Sequence, residues 1–117
     1  MHLKKWNNQM DINDYQEWTL STAIYPEAGT GSDTELYYLT LGLTSEAGEV
    51  AGKIKKKIRD GKFNIGDVMS EVSDVLWYVA RLTDALGMSM SDLAELNHGK
   101  LTRRKDAGTI SGSGDNR

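Results

Sequence analysis

The chain has 117 residues, a formal net charge of −3, 38% hydrophobic and 26% charged residues, which fits one folded domain with one core rather than a disordered chain. An acidic balance excludes general electrostatic attraction to a nucleic-acid polymer, and the absence of cysteine excludes disulfides and thiolate metal sites. No apolar run approaches the roughly 18 residues that span a bilayer, and the basic start MHLKKWNNQ lacks the apolar core of a secretory signal, so a cytoplasmic location without membrane partners is expected.

In chain order, residues 1–10 show no periodicity and read as an N-terminal extension. Asp11 is an N-cap candidate for a first helix through Ile12, Tyr15, Trp18 and Leu20 toward Ile24, broken by Pro26 and the stretch EAGTGSD. A second helix starts near Asp33 or Thr34. Its stripe is Leu36, Leu39, Leu43, Val50, Ile54 and Ile58, and Asp60-Gly61 stops it. Asn64 or Asp67 caps a third helix with the stripe Val68, Val72, Val75, Leu76, Val79, Leu82 and Leu86, ended by Gly87. Ser89 or Ser91 caps a fourth, through Leu93, Leu96 and Leu101 to about Lys105. No segment carries a strand pattern. The fold class is therefore all-α, a four-helix bundle with short connections over residues 11–106, followed by a Gly/Ser-rich tail at 107–117.

Two acidic pairs carry the chemistry. Glu46 and Glu49 lie three apart in TSEAGEVAGK, and Glu71 and Asp74 three apart in SEVSDVLWYV. Residues three apart on a helix project about 60° from one another, so each pair shares a face, and both pairs border the apolar stripe of their helix. Two such helices packed side by side bring four carboxylates together. Those repel unless a cation neutralises them, and an all-oxygen donor set suits a hard ion such as Mg²⁺. The competing reading is a solvated surface, with Lys53, Lys55, Lys56 and Lys57 neutralising the glutamates through pairs along the helix.

The pattern Glu46-x-x-Glu49, a 21-residue gap and Glu71-x-x-Asp74, set in LGLTSEAGEVAGKIKK and EVSDVLWYVARL, resembles the signature of the all-α MazG-like nucleoside triphosphate pyrophosphohydrolases. The likeness continues through LNHGKLTRR to the ending GTISGSGDNR, which looks like that of short single-domain members. The resemblance implies hydrolysis of an NTP or dNTP between the α and β phosphates, giving a monophosphate and pyrophosphate for nucleotide-pool control. It also implies a dimer, often paired again into a dimer of dimers, with sites near subunit boundaries. Mg²⁺, with Mn²⁺ as the alternative, held by Glu46, Glu49, Glu71 and Asp74 neutralises the polyphosphate, polarises a phosphoryl oxygen and acidifies water. Glu49 is the first choice for a base in place of a ligand, although the sequence does not separate these roles.

Six further residues are candidate substrate contacts. Lys53 follows Glu49 by one turn and reads as a phosphate contact or a helix ion pair. Tyr78 follows Asp74 by one turn and reads as a nucleotide contact or a core-edge ring. Asn97, Lys100, Arg103 and Arg104 occupy the last helix. An amide and cations suit sugar and phosphate oxygens, while the bland reading is a basic helix end favoured by the dipole. Trp18 is a candidate stacking ring, and Trp77 reads as packing or interface. His2 and His98 lack metal-ligand spacing. Two other functions remain open at this level: a phosphoribosyl-ATP-type pyrophosphohydrolase, and a non-catalytic helical interaction module.

Overall fold

The computed structural model describes residues 9–117. Most of the expected 1–10 extension, with His2, lies outside the described residues. The elements are α1 (Ile12–Thr19), a short 3-10 turn (Leu20–Thr22), α2 (Asp33–Asp60), α3 (Ile65–Ala85) and α4 (Met90–Asp106), with no strand among the described residues. The all-helical architecture read from the periodicity is thus the observed one.

Local chemistry sets each boundary. The Asp11 carboxylate accepts the Asn13 and Asp14 N–H groups at 2.8 and 3.3 Å and starts α1. Ser32, Asn64 and Ser89 cap α2, α3 and α4 by accepting from Glu35, Asp67 and Asp92. Gly61, at φ 79°, donates to the Lys57 carbonyl and closes α2 in the left-handed conformation that glycine tolerates. The first helix is shorter than its periodicity predicts. The hydroxyls of Thr19, Ser21 and Thr22 turn back onto the carbonyls of Gln16, Trp18 and Thr19, and this local bonding competes with helix continuation. Ile24 consequently stands 96% exposed.

The antiparallel α2–α3 hairpin forms the body of the molecule, and α1 lies across α3. Leu39 and Ala80 are fully buried between these helices. A buried amide joins the first helix to the α3–α4 turn: Gln16 donates to the Met88 carbonyl at 2.9 Å and accepts the Met90 N–H at 3.1 Å. Asn13 reinforces the joint by a reciprocal pair of 2.9 Å bonds with Ser91. These contacts seat the N-terminal end of α4 and leave its C-terminal half to the tail. Much of the apolar stripe stays in water. Ile58 is 85% exposed and Leu86 65%, although both belong to the stripes that sequence periodicity assigns to the core.

The tail turns back on α4. The Arg104 guanidinium, 5% exposed, donates to the carbonyls of Gly114 and Asp115 and lies 3.5 Å from the Asp115 carboxylate. Arg117 donates to the carbonyls of Thr109, Ile110 and Gly114. A segment whose composition alone reads as disordered is therefore ordered by two arginines that satisfy its backbone acceptors.

Candidate metal centre

The α2–α3 hairpin places Glu46, Glu71 and Asp74 so that one carboxylate oxygen of each lies within 4.8 Å of the others. Glu46 and Glu71 are half-buried and Asp74 is exposed at the rim. Glu49 is exposed and stands outside this group of three. Its charge nevertheless reaches Glu46. Burial first, then hydrogen bonding to Glu71 and the charges of Asp74, Glu71 and Glu49, push the Glu46 carboxyl above the usual carboxylate range.

Among the described residues, no ion pair joins Lys53, Lys55, Lys56 or Lys57 to the four acids. Lys57 instead covers the Phe63 ring at 4.6 Å. An all-oxygen donor set, two of its three members half-buried and none ion-paired to a basic side chain among the described residues, fits a hard divalent cation. Glu46, Glu71 and Asp74 are the residues whose oxygens can hold it.

The same carboxylates open onto a cleft of about 300 Å³ lined by Glu46, Asp74, Trp77 and Tyr78. Tyr78 rests on α2 at Gly42, where a Cβ would overlap its ring. Burial and the neighbouring Tyr38 phenol, followed by Glu46 and Asp74, raise the Tyr78 phenol above its ordinary value of 10.0. Burial and the Asp74 charge likewise raise Tyr15, so α1 also approaches this cleft. Trp77, assigned from the sequence to packing or an interface, lines the cleft as well. The three-residue step from Asp74 to Trp77, the same step that pairs the acids, is the signal that could have found it. Trp18 packs against Tyr15 with ring centroids 6.1 Å apart and is absent from the cleft lining.

The remaining candidates lie elsewhere. Lys53 is half-buried on α2 and forms no ion pair among the described residues. On α4, Asn97 lines a shallow cleft with His98, Leu101 and Ile110, whereas Lys100, Arg103 and Arg104 line a polar pocket of about 250 Å³ closed by Asp115, Asn116 and Arg117. Asn97 and these three cations thus line separate pockets in a single chain.

The model of the MazG nucleotide pyrophosphohydrolase domain matches residues 35–109, a span that takes in both acidic pairs, Tyr78 and all of α4. The chain is also 46% identical over 114 residues to the "Gene 37 protein" of Mycobacterium phage L5, covering 92% of this chain and 100% of that protein. No solved structure matches the chain. Its carboxylate hairpin, all-helical architecture and matched span together place this chain in the MazG nucleotide pyrophosphohydrolase domain family.

Proposed function

We propose that this protein is a Mg²⁺-dependent pyrophosphohydrolase that cleaves an NTP or dNTP at the α–β phosphoanhydride to the monophosphate and pyrophosphate, controlling the nucleotide pool in the cytoplasm. The convergence of Glu46, Glu71 and Asp74 within 4.8 Å, with no lysine ion-paired to them among the described residues, is the observation that carries this reading. A triphosphate carries about four negative charges and is repelled by such a cluster, so the cation that reconciles the acids also admits the substrate. Mg²⁺ there, or Mn²⁺ in its place, supplies charge neutralisation and polarisation of a phosphoryl oxygen. Glu46, Glu71 and Asp74 orient the polyphosphate for in-line attack by water. Glu49, beside the cluster but outside it, accepts the proton of that water.

Lys53 and Tyr78 contact the nucleotide from the hairpin. Asn97, Lys100 and Arg103 contact sugar and phosphate oxygens from α4, and Arg104 holds the tail that backs them. Because the α4 cations line a pocket separate from the carboxylate cleft, this reading has a second copy completing each site, in a homodimer or a dimer of dimers. The apolar groove of about 330 Å³ lined by Leu43, Val79, Leu82, Leu86, Met88 and Leu93 supports that assembly, as do the exposed Leu41 and Ile58.

The test is pyrophosphate release with Mg²⁺ from the four ribo- and four deoxyribonucleoside triphosphates, with phosphoribosyl-ATP as a ninth substrate. Turnover of one or more triphosphates that is lost in Glu46→Gln and Glu71→Gln is expected. Turnover of phosphoribosyl-ATP alone transfers the assignment to that metabolite. No release from any substrate leaves an interaction module in place of an enzyme.

A further inference from the structure

The carboxylates account for a polyphosphate, but half of the cleft lining is aromatic. Trp77 meets Tyr78 edge-on at 5.0 Å and meets Tyr25 edge-on at 6.1 Å, and Tyr25 in turn stacks on Tyr38 at 4.8 Å. The Trp77 indole N–H donates to the Thr22 hydroxyl at 2.8 Å. The aromatic wall is therefore tied at two points to the segment between α1 and α2.

That segment is wrapped around a buried charge. Glu35, in the first turn of α2, is fully buried. Its Oε2 accepts the Tyr25 hydroxyl and the Gly29 N–H, both at 2.6 Å, and its Oε1 accepts the Gly31 N–H at 2.8 Å. Gly29 and Gly31 stand at φ 81° and 70°, the left-handed geometry that turns these N–H groups inward. Arg81, 1% exposed, lies 3.9 Å from Oε2, donates to the Tyr25 and Thr19 hydroxyls at 3.4 Å, and pairs with Asp84 at 3.0 Å. Joining two helices requires no buried ion pair, and apolar packing would do it without desolvating two charges. What the charges add is a fixed place for the Tyr25 ring.

Building on the pyrophosphohydrolase reading, we infer that Tyr25 and Glu35 form a positioning clamp that holds Trp77 and Tyr78 at the spacing required to receive the nucleoside part of the substrate, and so determine which nucleotides are preferred. A base stacks on an aromatic face with little regard for its hydrogen-bonding edge, so preference at such a wall comes from stacking strength and from the space left for the base, both of which depend on where the rings stand. Tyr25 and Glu35 are positioning residues. They line no part of the carboxylate cleft and act through Trp77.

Tyr25→Phe keeps the ring and removes only its hydroxyl. Thr22→Val removes the acceptor of the Trp77 indole and leaves Glu35 untouched, which gives a second route should the first variant fail to fold. Steady-state kinetics of pyrophosphate release are measured for both variants and the wild type across the eight triphosphates with Mg²⁺. Fluorescence titration with the corresponding monophosphates reports binding without turnover. The expected result is a KM for the preferred triphosphate raised roughly five- to tenfold, a kcat within about twofold, weaker monophosphate binding and a narrower spread of kcat/KM across bases. Unchanged KM and unchanged ranking in the folded variants overturn the clamp while leaving the pyrophosphohydrolase reading intact. A fall in kcat that tracks thermal destabilisation, with the ranking preserved, also overturns it in favour of a purely structural role. A wild type that releases pyrophosphate from none of the eight removes both.

Discussion

Gly42 of α2 faces the ring of Tyr78 of α3 so closely that a Cβ at position 42 would lie 2.7 Å from Cδ1. The hairpin that gathers the carboxylates is thus also keyed at one aromatic ring. Gly42→Ala adds helix propensity worth about 1 kcal/mol but must displace Tyr78, and overpacking of this kind costs about 1–3 kcal/mol. The expected outcome is a lowered melting temperature and an altered near-ultraviolet dichroism signal from Tyr78. A melting temperature raised by the substitution would show that the ring moves aside freely.

The Glu35 clamp gives stability a defined acid dependence. Burial alone raises this carboxyl, but hydrogen bonds from Tyr25, Gly29 and Gly31 and the Arg81 charge outweigh it and hold the group below its ordinary value of 4.5. A group whose folded value is depressed contributes stability that is fully present above the unfolded value and is lost as pH falls through the folded one. The same bond, after burial, pushes the Tyr25 phenol up to about 12. Urea denaturation as a function of pH is expected to show a loss of stability below about pH 4.5 that is shallower in Glu35→Gln, and Glu35→Gln itself costs about 1–3 kcal/mol at neutral pH by removing the anionic acceptor of Tyr25, Gly29 and Gly31 and leaving Arg81 to Asp84 alone.

At the tail, the two partners of one ion pair have unequal weight. Asp115 is 93% exposed at its side chain whereas Arg104 is 6% exposed, so Asp115→Asn is expected to change little. Arg104→Ala strips the Asp115 carbonyl of its donor and leaves the Gly114 carbonyl to Arg117 alone. It is expected to free residues 107–117, seen as faster amide exchange and proteolytic clipping confined to the tail. Equal effects from both substitutions would contradict this account of how the tail is ordered.

The parts of the fold that were legible in the sequence are those set locally. Asp11, Ser89 and the Asp60-Gly61 stop act on backbone groups within one turn, and sequence spacing reports such partners directly. The acidic pairs were legible for the same reason, since a three-residue step fixes a shared face and their border position follows from the wheel. Glu35 and Arg81 were not legible. A charge surrounded by helix-forming residues reads as solvated, and only tertiary partners from another element make its burial affordable. Conversely, Ile58 and Leu86 keep helical periodicity yet remain exposed, because periodicity marks an apolar face and does not name what covers it. That Asn97 lines one pocket and Lys100, Arg103 and Arg104 another depends on where the tail folds, which the spacing of those residues does not encode.

The exposed apolar face makes a prediction about assembly. Light scattering is expected to give a dimer or tetramer, and Leu86→Glu in the apolar groove is expected to lower that mass and reduce turnover together. A monomer with full activity would contradict the shared-site arrangement while leaving the carboxylate chemistry in place.

If Glu46, Glu71 and Asp74 converge to make a polyphosphate acceptable, the products formed in ¹⁸O-labelled water with Mg²⁺ carry the signature of attack at the α-phosphorus. Monophosphate carrying the label together with unlabelled pyrophosphate is expected, with a fall in turnover of at least about 100-fold in Glu71→Gln. Release of inorganic phosphate with a diphosphate, or unchanged turnover in Glu71→Gln, would contradict it.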